Sequence, residues 1–289
     1  MVSTLLILAA GRGSRYGGPK QLERYGSGRH ALMEYGIFDA LRHGIGRVIV
    51  AVSKTGKDAA KELLEQAGRK VPIDFLIQDS ADAPRGMKIP DALAASPGTA
   101  HAIFCARHRI DGPFAVINGD DFYAPAAWDA MAKIADWNGS NRAAIVAYQL
   151  ASTLSPNGAV SRGICHIEDD KLISLKEMTG IIAANGKILS ETGDVLPPDT
   201  PVSMNFFSFP KNFVELLAED GEKFFQSQRS GEWALPDAIS RMLGEKLFSM
   251  AAASSNAPWF GVTHRTDRAT VEIALAEAIS KGLYAENLW

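Results

Sequence analysis

The sequence predicts an α/β fold on a mixed, mainly parallel sheet with helices on both faces. Three observations carry this expectation. Short apolar runs without polar alternation occur at 5–8, 48–52, 75–77 and 114–117, the pattern of strands buried on both faces. Amphipathic stretches separate them, so strand and helix alternate through the first half as in a parallel sheet with crossover helices. The first apolar run ends in a glycine-rich turn, and α/β sheets place ligands beyond the carboxyl ends of their strands.

The elements follow in order. The helical stretch 31–43 is closed by Gly44, with Met33, Phe38 and Leu41 as core residues. A second helix at 58–66 puts Leu63, Leu64 and the adjoining Ala67 on one face. Pro125 stands at a first helical position and opens 126–137. The second half differs: 142–150, 163–167, 171–176 and 201–209 read as strands joined by loops. Helical patterns return at 212–219, 236–243 and 266–281, and Phe213, Phe224, Phe225 and Trp233 read as core. The stretch 183–201, with two glycines and three prolines, reads as a surface excursion. No internal repeat is present, and residues 1–289 are expected to form one domain with halves 1–140 and 141–289.

Composition narrows the function classes. The 289 residues are 46% apolar and 22% charged, as in ordinary globular proteins. Lys plus Arg number 30 against 33 Asp plus Glu, a net charge of −3, which argues against nucleic-acid or anionic-membrane partners. Any phosphate chemistry must then come from a few placed cations. The two cysteines, Cys105 and Cys165, stand far apart, so neither a disulfide framework nor a structural zinc is expected. The apolar run 5–10 lacks a basic segment before it and falls short of a signal-peptide core, and no window approaches a membrane span. A soluble protein in a reducing cytoplasm is the expectation.

Chemistry concentrates first at Leu8-Ala9-Ala10-Gly11-Arg12-Gly13-Ser14-Arg15-Tyr16-Gly17-Gly18-Pro19-Lys20-Gln21. Ala9, Ala10, Gly11 and Gly13 let a nucleoside approach the backbone, and exposed amides from Gly11 to Ser14, Arg12 included, favour an anion. Arg15 can hold phosphate oxygens in a planar fork, and Lys20 supplies a point charge for a leaving pyrophosphate. A dinucleotide turn fits less well. Its Gly-x-Gly-x-x-Gly spacing finds Tyr16 with Gly17 one residue late, and the second strand ends in Val52-Ser53-Lys54 without a carboxylate. A second concentration is Asn118-Gly119-Asp120-Asp121-Phe122-Tyr123, two carboxylates at a strand end whose hard oxygens suit Mg²⁺.

These segments resemble the nucleotidyltransferases of the nucleotide-diphospho-sugar transferase fold, which include sugar-1-phosphate uridylyl- and thymidylyltransferases. The Gly17-Gly18-Pro19-Lys20 ending also resembles the cytidylyltransferase and molybdopterin-guanylyltransferase branches. The terminal Glu286-Asn287-Leu288-Trp289, with Trp259-Phe260-Gly261-Val262-Thr263, resembles a bacterial subgroup of these enzymes. The resemblance implies a three-layer, Rossmann-like arrangement with a nucleotide-binding half and an acceptor-binding half. It gives Gln78 the base-reading position and matches Gly98-Thr99-Ala100 to the segment that closes over the base, although Thr99 would serve equally as a helix cap. Asp120 takes the metal-ligand position, with Asp121 second, as a further ligand or as a cap. Arg162, Gly163 and Glu177 resemble the strand-loop that meets the acceptor, but the family's Glu-Lys-Pro reads Glu177-Met178-Thr179. Asn205 could bond an acceptor hydroxyl or sit as a satisfied core residue. The family's second metal-binding aspartate falls on Gly261, and Asp267 could substitute or cap a helix.

The implied reaction is metal-dependent transfer of a nucleotidyl group from a nucleoside triphosphate to a sugar 1-phosphate, releasing pyrophosphate. A cytidylyltransferase for a phosphorylated alcohol such as phosphocholine is the nearest alternative. It would need aromatic faces around a cation, for which Phe206, Phe207 and Trp259 are candidates. A nucleotide-binding regulatory module without turnover is the alternative from another class. No sequence feature encodes the base, the acceptor or the oligomeric state.

Overall fold

The computed structural model describes residues 3–11, 20–135, 142–227, 231–262 and 266–289. The four apolar runs of the first half form β1 (Thr4–Ala9), β2 (Arg47–Val52), β3 (Ile73–Ile77) and β4 (Phe114–Asn118). They pair in parallel in the spatial order β4-β1-β2-β3. The crossovers carry α1 (Leu32–Arg42), α2 (Lys57–Leu63), α3 (Glu65–Gly68) and α4 (Thr99–Cys105). The helix expected at 58–66 is therefore two short helices, broken at Leu64, whose backbone (φ −95°, ψ 13°) leaves the helical region.

Then come β5 (Asp121–Tyr123), α5 (Pro125–Ile134), β6 (Ala143–Gln149), β7 (Val160–Glu168) and β8 (Lys171–Ala184). They are followed by β9 (Lys187–Leu189), β10 (Val195–Leu196), β11 (Pro201–Phe209), α6 (Phe213–Gln226) and α7 (Leu235–Gly244). The chain closes with β12 (Met250–Ser255), β13 (Trp259–Gly261) and α8 (Asp267–Ser280). The main sheet runs β10-β9-β8-β12-β6-β11-β4-β1-β2-β3, with β7 bridging β11 and β8. β11 is antiparallel to both β4 and β6, so parallel order stops at β4 and resumes only between β6 and β12. The sheet is mixed, and the expectation of a mainly parallel one holds only for the first half. The supposed excursion at 183–201 is instead the end of β8 with β9 and β10, an antiparallel extension of the sheet edge.

Successive residues of β1 point to opposite faces, and two apolar clusters follow. Leu5, Ile7 and Ala9 pack with Tyr35 of α1, Trp128 of α5 and Leu275 of α8. Leu6 and Leu8 pack with Ile103 of α4, Leu217 of α6 and Ile239 of α7. Helices therefore cover both faces of the sheet. Phe213, Phe224, Phe225 and Trp233 are buried in the second cluster, as expected of core residues. With strand interiors closed on both sides, the open ends of the strands are left to hold a ligand.

Candidate active site

The carboxyl ends of β1 to β4 open into a cavity of about 830 Å³. Residues 8–11 line it at the end of β1, 53–56 after β2, Gln78 after β3 and 96–99 at the start of α4, while Asn118 and Asp120 close it at β4. A second cavity of about 200 Å³ lies beside it, against Arg162 and Gly163 of β7, Glu177 of β8, Ser203 of β11 and Trp259 of β13. Lys20, Asn118, Asp120 and Asn205 line both. Groups bound in the two cavities would meet at that shared edge.

The large cavity is shaped by backbone approach. A Cβ on Gly119 would lie 3.0 Å from the Ala9 Cβ, and the Gly119 N–H donates to Leu8 O at 2.9 Å, so β1 and β4 end side by side. Gln21 Nε2 donates to Ala9 O (2.8 Å) and Gly11 O (3.1 Å), tying the far side of the glycine-rich segment back to β1. Gly98 has φ +106°, and a Cβ there would meet Trp233 O at 2.2 Å, so this position admits only glycine. Thr99 is not the cap of α4. Gly98 holds that position, and Thr99 Oγ1 accepts from the Leu235 N–H at 2.8 Å. Arg12, Gly13, Ser14 and Arg15 lie outside the described residues.

The shared edge is held by side chains. Lys20 Nζ forms an ion pair with Asp120 and donates to Val262 O at 2.7 Å. Asp121, the first residue of β5 rather than a helix cap, is buried. Its Oδ2 accepts from Asn118 Nδ2 at 2.8 Å, and Asn118 Oδ1 accepts from Asn205 Nδ2 at 3.3 Å. Asn205 has φ +59° where the β11–β6 register shifts between Ser203 and Phe207. A bulge and a left-handed backbone re-aim its side chain from the core to the cavities, at a cost of about 1–3 kcal/mol. The core reading of Asn205 is thereby replaced.

Burial pushes the Asp121 carboxyl up to about 7, with the Asp120 charge adding to it and the Asn118 hydrogen bond, Lys20 and Arg162 opposing. Arg162 is lowered to about 10 by burial, against the pull of Asp121 and Glu177. Its guanidinium donates to Thr153 Oγ1 (3.1 Å), Thr153 O and Ser161 O (2.8 Å) and lies 5.2 Å from the Trp259 ring centroid. Glu177 is raised by burial first and then by Asp237, opposed by Arg162. It lies in the middle of β8, not at a strand end, paired with Gly163. A Cβ at Gly163 would lie 3.3 Å from Ser203 Cβ, so its absence lets β7 and β11 close.

Gly261 faces Asp121 in the β13–β5 pairing, and a Cβ there would fall 2.3 Å from Asp121 Oδ1. The space that a side chain at 261 would use is filled by the carboxylate of the neighbouring strand. Asp267 opens α8 without lining either cavity, and its Oδ1 accepts from Asn157 Nδ2 at 2.6 Å. It neither replaces an aspartate at 261 nor serves as the cap, which is Thr266. Sequence reasoning assigned no role to Gln21 or Asn118. Both belong to the quoted segments, but only the fold shows what a neutral amide reaches.

A glycine-rich sequence following a parallel strand, with two cavities meeting at a lysine and a carboxylate pair, suits a nucleotidyltransferase. That class is borne out by a comparison of families: residues 5–148 match the model of the MobA-like NTP transferase domain. Among solved structures, the chain is similar to the inositol-1-phosphate CTP transferase from T. maritima, with a TM-score of 0.68, 15% identity and 96% of each chain covered. It is also similar to a protein from Bacillus anthracis described as a glucose-1-phosphate thymidylyltransferase and solved in complex with a sucrose. There the TM-score is 0.65, the identity 14% and the coverage 95% of each chain. At such identities the likeness establishes the fold. No curated protein matches the chain by sequence. Among the described residues no helix is long and apolar enough to cross a membrane.

Proposed function

We propose that the protein is a metal-dependent nucleotidyltransferase that joins a nucleoside triphosphate to a sugar 1-phosphate and releases pyrophosphate. The framework is read as a three-layer, Rossmann-like one, supported by helix-bearing apolar clusters on both faces of the sheet. The observation that carries the function is the shared edge, where Lys20, Asn118, Asp120 and Asn205 border both cavities. The triphosphate enters the large cavity, its base toward Gln78, Gly98 and Thr99 and its phosphates toward 9–15. The acceptor enters the small one, against Arg162, Gly163, Glu177 and Asn205. A phosphate oxygen of the acceptor attacks the α-phosphorus, the bond to the bridging oxygen breaks, and pyrophosphate departs with the electron pair. A phosphate monoester is already anionic near neutral pH, so no general base is needed. Catalysis rests on positioning and charge stabilisation. Lys20, paired with Asp120, exchanges that partner for phosphate oxygens, and Arg15 joins it on the departing charge.

Asp120 and Asp121 fit a divalent cation. Among the described residues no cluster of three or more His, Cys, Asp or Glu could hold a metal. Two hard carboxylates leave most of an octahedral shell to phosphate oxygens and water, which is how Mg²⁺ is usually bound. The ion, when bound, neutralises charge on the reacting phosphates. The missing side chain at Gly261 supports Asp121 as the second carboxylate, since its Oδ1 fills that space.

The acceptor reading favours a polyhydroxylated compound over a choline-like cation. Phe206 and Phe207 are fully buried in the core, and Trp259 already has the Arg162 cation beside its ring. The test is pyrophosphate release with Mg²⁺ across nucleoside triphosphates, sugar 1-phosphates, inositol 1-phosphate and phosphocholine. Release that requires one sugar or polyol phosphate supports the reading. Release with phosphocholine alone, or none with any acceptor, overturns it.

A further inference from the structure

Gln78 projects from the end of β3 into the wall of the large cavity, and its amide is oriented by the protein on two sides. Nε2 donates to Gly98 O at 2.9 Å and to His101 Nδ1 at 3.2 Å. A backbone carbonyl can only accept, so turning the amide over would set Oε1 against Gly98 O, two acceptors face to face. The His101 contact is fixed by the same logic. His101 Nε2 lies 2.7 Å from Asp82 O, another carbonyl, so Nε2 carries the proton. The ring is fully buried, and burial lowers its pKa, which holds it neutral. Nδ1 is therefore a bare lone pair and must accept. Cys105 Sγ lies 3.6 Å from Nδ1 and 3.7 Å from Nε2, too evenly placed to point along either nitrogen. The segment bearing Asp82 is anchored in turn, its carboxylate taking two bonds from Arg107 at 2.7 and 2.8 Å.

Both hydrogens of the Gln78 amide are thus spent inside the protein. Oε1 has no hydrogen-bond partner among the described residues, so Gln78 meets the cavity as an acceptor that cannot donate. Uracil and thymine are poor partners for such a group. Their one edge donor, N3–H, stands between two carbonyl oxygens, and both repel an acceptor that approaches it. Cytosine, adenine and guanine each carry an exocyclic amino group that can donate outward.

We propose that His101 locks Gln78 as a one-way acceptor, and that the site selects nucleoside triphosphates whose base bears an exocyclic amino group over those of uracil and thymine. This rests on reading the large cavity as the triphosphate site. His101 is a positioning residue: it acts on the base only through Gln78.

The experiment is equilibrium binding of CTP, ATP, GTP, UTP and TTP to the full chain with Mg²⁺ and no acceptor. At least one amino-bearing triphosphate should bind about tenfold or more tighter than both UTP and TTP. UTP or TTP binding as tightly as the best amino-bearing triphosphate overturns the inference alone. Binding of none overturns the reading of the cavity and the inference with it. Gln78→Ala should reduce the preference to about twofold or less, and an unchanged preference in that variant also overturns the inference. His101→Phe should let Gln78 donate again and narrow the ratio, whereas His101→Gln, able to donate to Asp82 O and accept from Gln78, should keep it. A ratio equal to wild type in a folded His101→Phe protein overturns the lock. Should His101→Phe not fold, the wild-type and Gln78→Ala ratios decide.

Discussion

The two cavities are made of different materials. The large one is walled mainly by backbone and small or neutral side chains at the ends of parallel strands, with Ala9, Ala10, Gly11, Gly98 and Thr99 on its surface. The small one is walled by Arg162, Glu177, Asp121 and Trp259, carried on strands with antiparallel partners. Backbone at strand ends supports a ligand by shape and by amide dipoles, so one continuous segment can specify it. Charged side chains must each be aimed by a separate strand, and their pKa values shift as they crowd: Asp121 and Glu177 rise while Arg162 falls. On the proposed reading, a triphosphate site can therefore be kept while the acceptor site changes strand by strand.

The residues shared by both walls offer the strongest test of this division. Lys20 touches Asp120 and Val262 O across the seam, and its loss should damage the reaction rather than either binding site alone. For Lys20→Ala we expect turnover to fall by about 10²–10³, comparable to removing one preorganised charge-stabilising group, with the melting temperature close to wild type. Steady-state pyrophosphate release beside a thermal melt measures both. Wild-type turnover in the variant would remove Lys20 from the mechanism.

This contrast also explains what could be read from the sequence. The parallel block was legible because β1, β2 and β4 are nearly continuous apolar runs buried on both faces, and the glycine-rich segment is contiguous. β12 escaped notice because Met250–Ser255 is mostly alanine and serine, whose strand propensity is weak, and only pairing with β6 makes it a strand. Asn205 could not be separated from a core asparagine, since the bulge that turns it depends on register with β6. The Gly261 departure looked like a lost ligand in the sequence. Its meaning needs the cross-strand partner Asp121, 140 positions away (261 − 121), whose carboxylate fills the gap.

That exchange yields the next prediction. Gly261→Ala places a Cβ 2.3 Å from Asp121 Oδ1 and must push the carboxylate aside. Turnover should fall by about 10–10², as for a misplacement of about 1 Å at a reacting centre, and a higher metal concentration should restore part of it. Wild-type metal dependence in this variant would mean that Asp121 does not serve the metal.

A smaller effect should appear on the acceptor side alone. Glu177 lines only the small cavity and its side chain makes no hydrogen bond among the described residues, so Glu177→Gln changes charge with little change in shape. We expect KM for the acceptor to rise about tenfold, equal to about 1.4 kcal/mol, with triphosphate binding within about twofold of wild type. Weakened triphosphate binding of similar size would show that the two cavities are not separable.

The least effect on turnover is expected where a buried carboxylate like Asp121 lines neither cavity. Asp39 of α1 is also buried and also raised to about 7, by burial first, with the Tyr284 hydrogen bond, Arg42 and His43 opposing. Tyr284 OH donates to its Oδ2 at 2.5 Å, so its partners belong to the packing of the C-terminal segment on α1. The sign of its contribution follows from linkage. Between the ordinary value of 3.8 and about 7, the native chain holds a proton that the unfolded chain has lost. Stability from this group is therefore fully present below the lower value and declines as pH rises, by at most about 1.4 kcal/mol per pH unit. Asp39→Asn removes the titration, so its melting temperature should vary less between pH 4 and 7 than that of wild type, while turnover stays within about twofold. Asp121→Asn should do the opposite, losing turnover because its carboxylate lines the small cavity and holds Asn118 of the shared edge. Thermal melts across pH, read beside activity for both variants, separate a carboxylate that serves packing from one that serves the reaction. An unchanged pH profile in Asp39→Asn would place the native titration elsewhere.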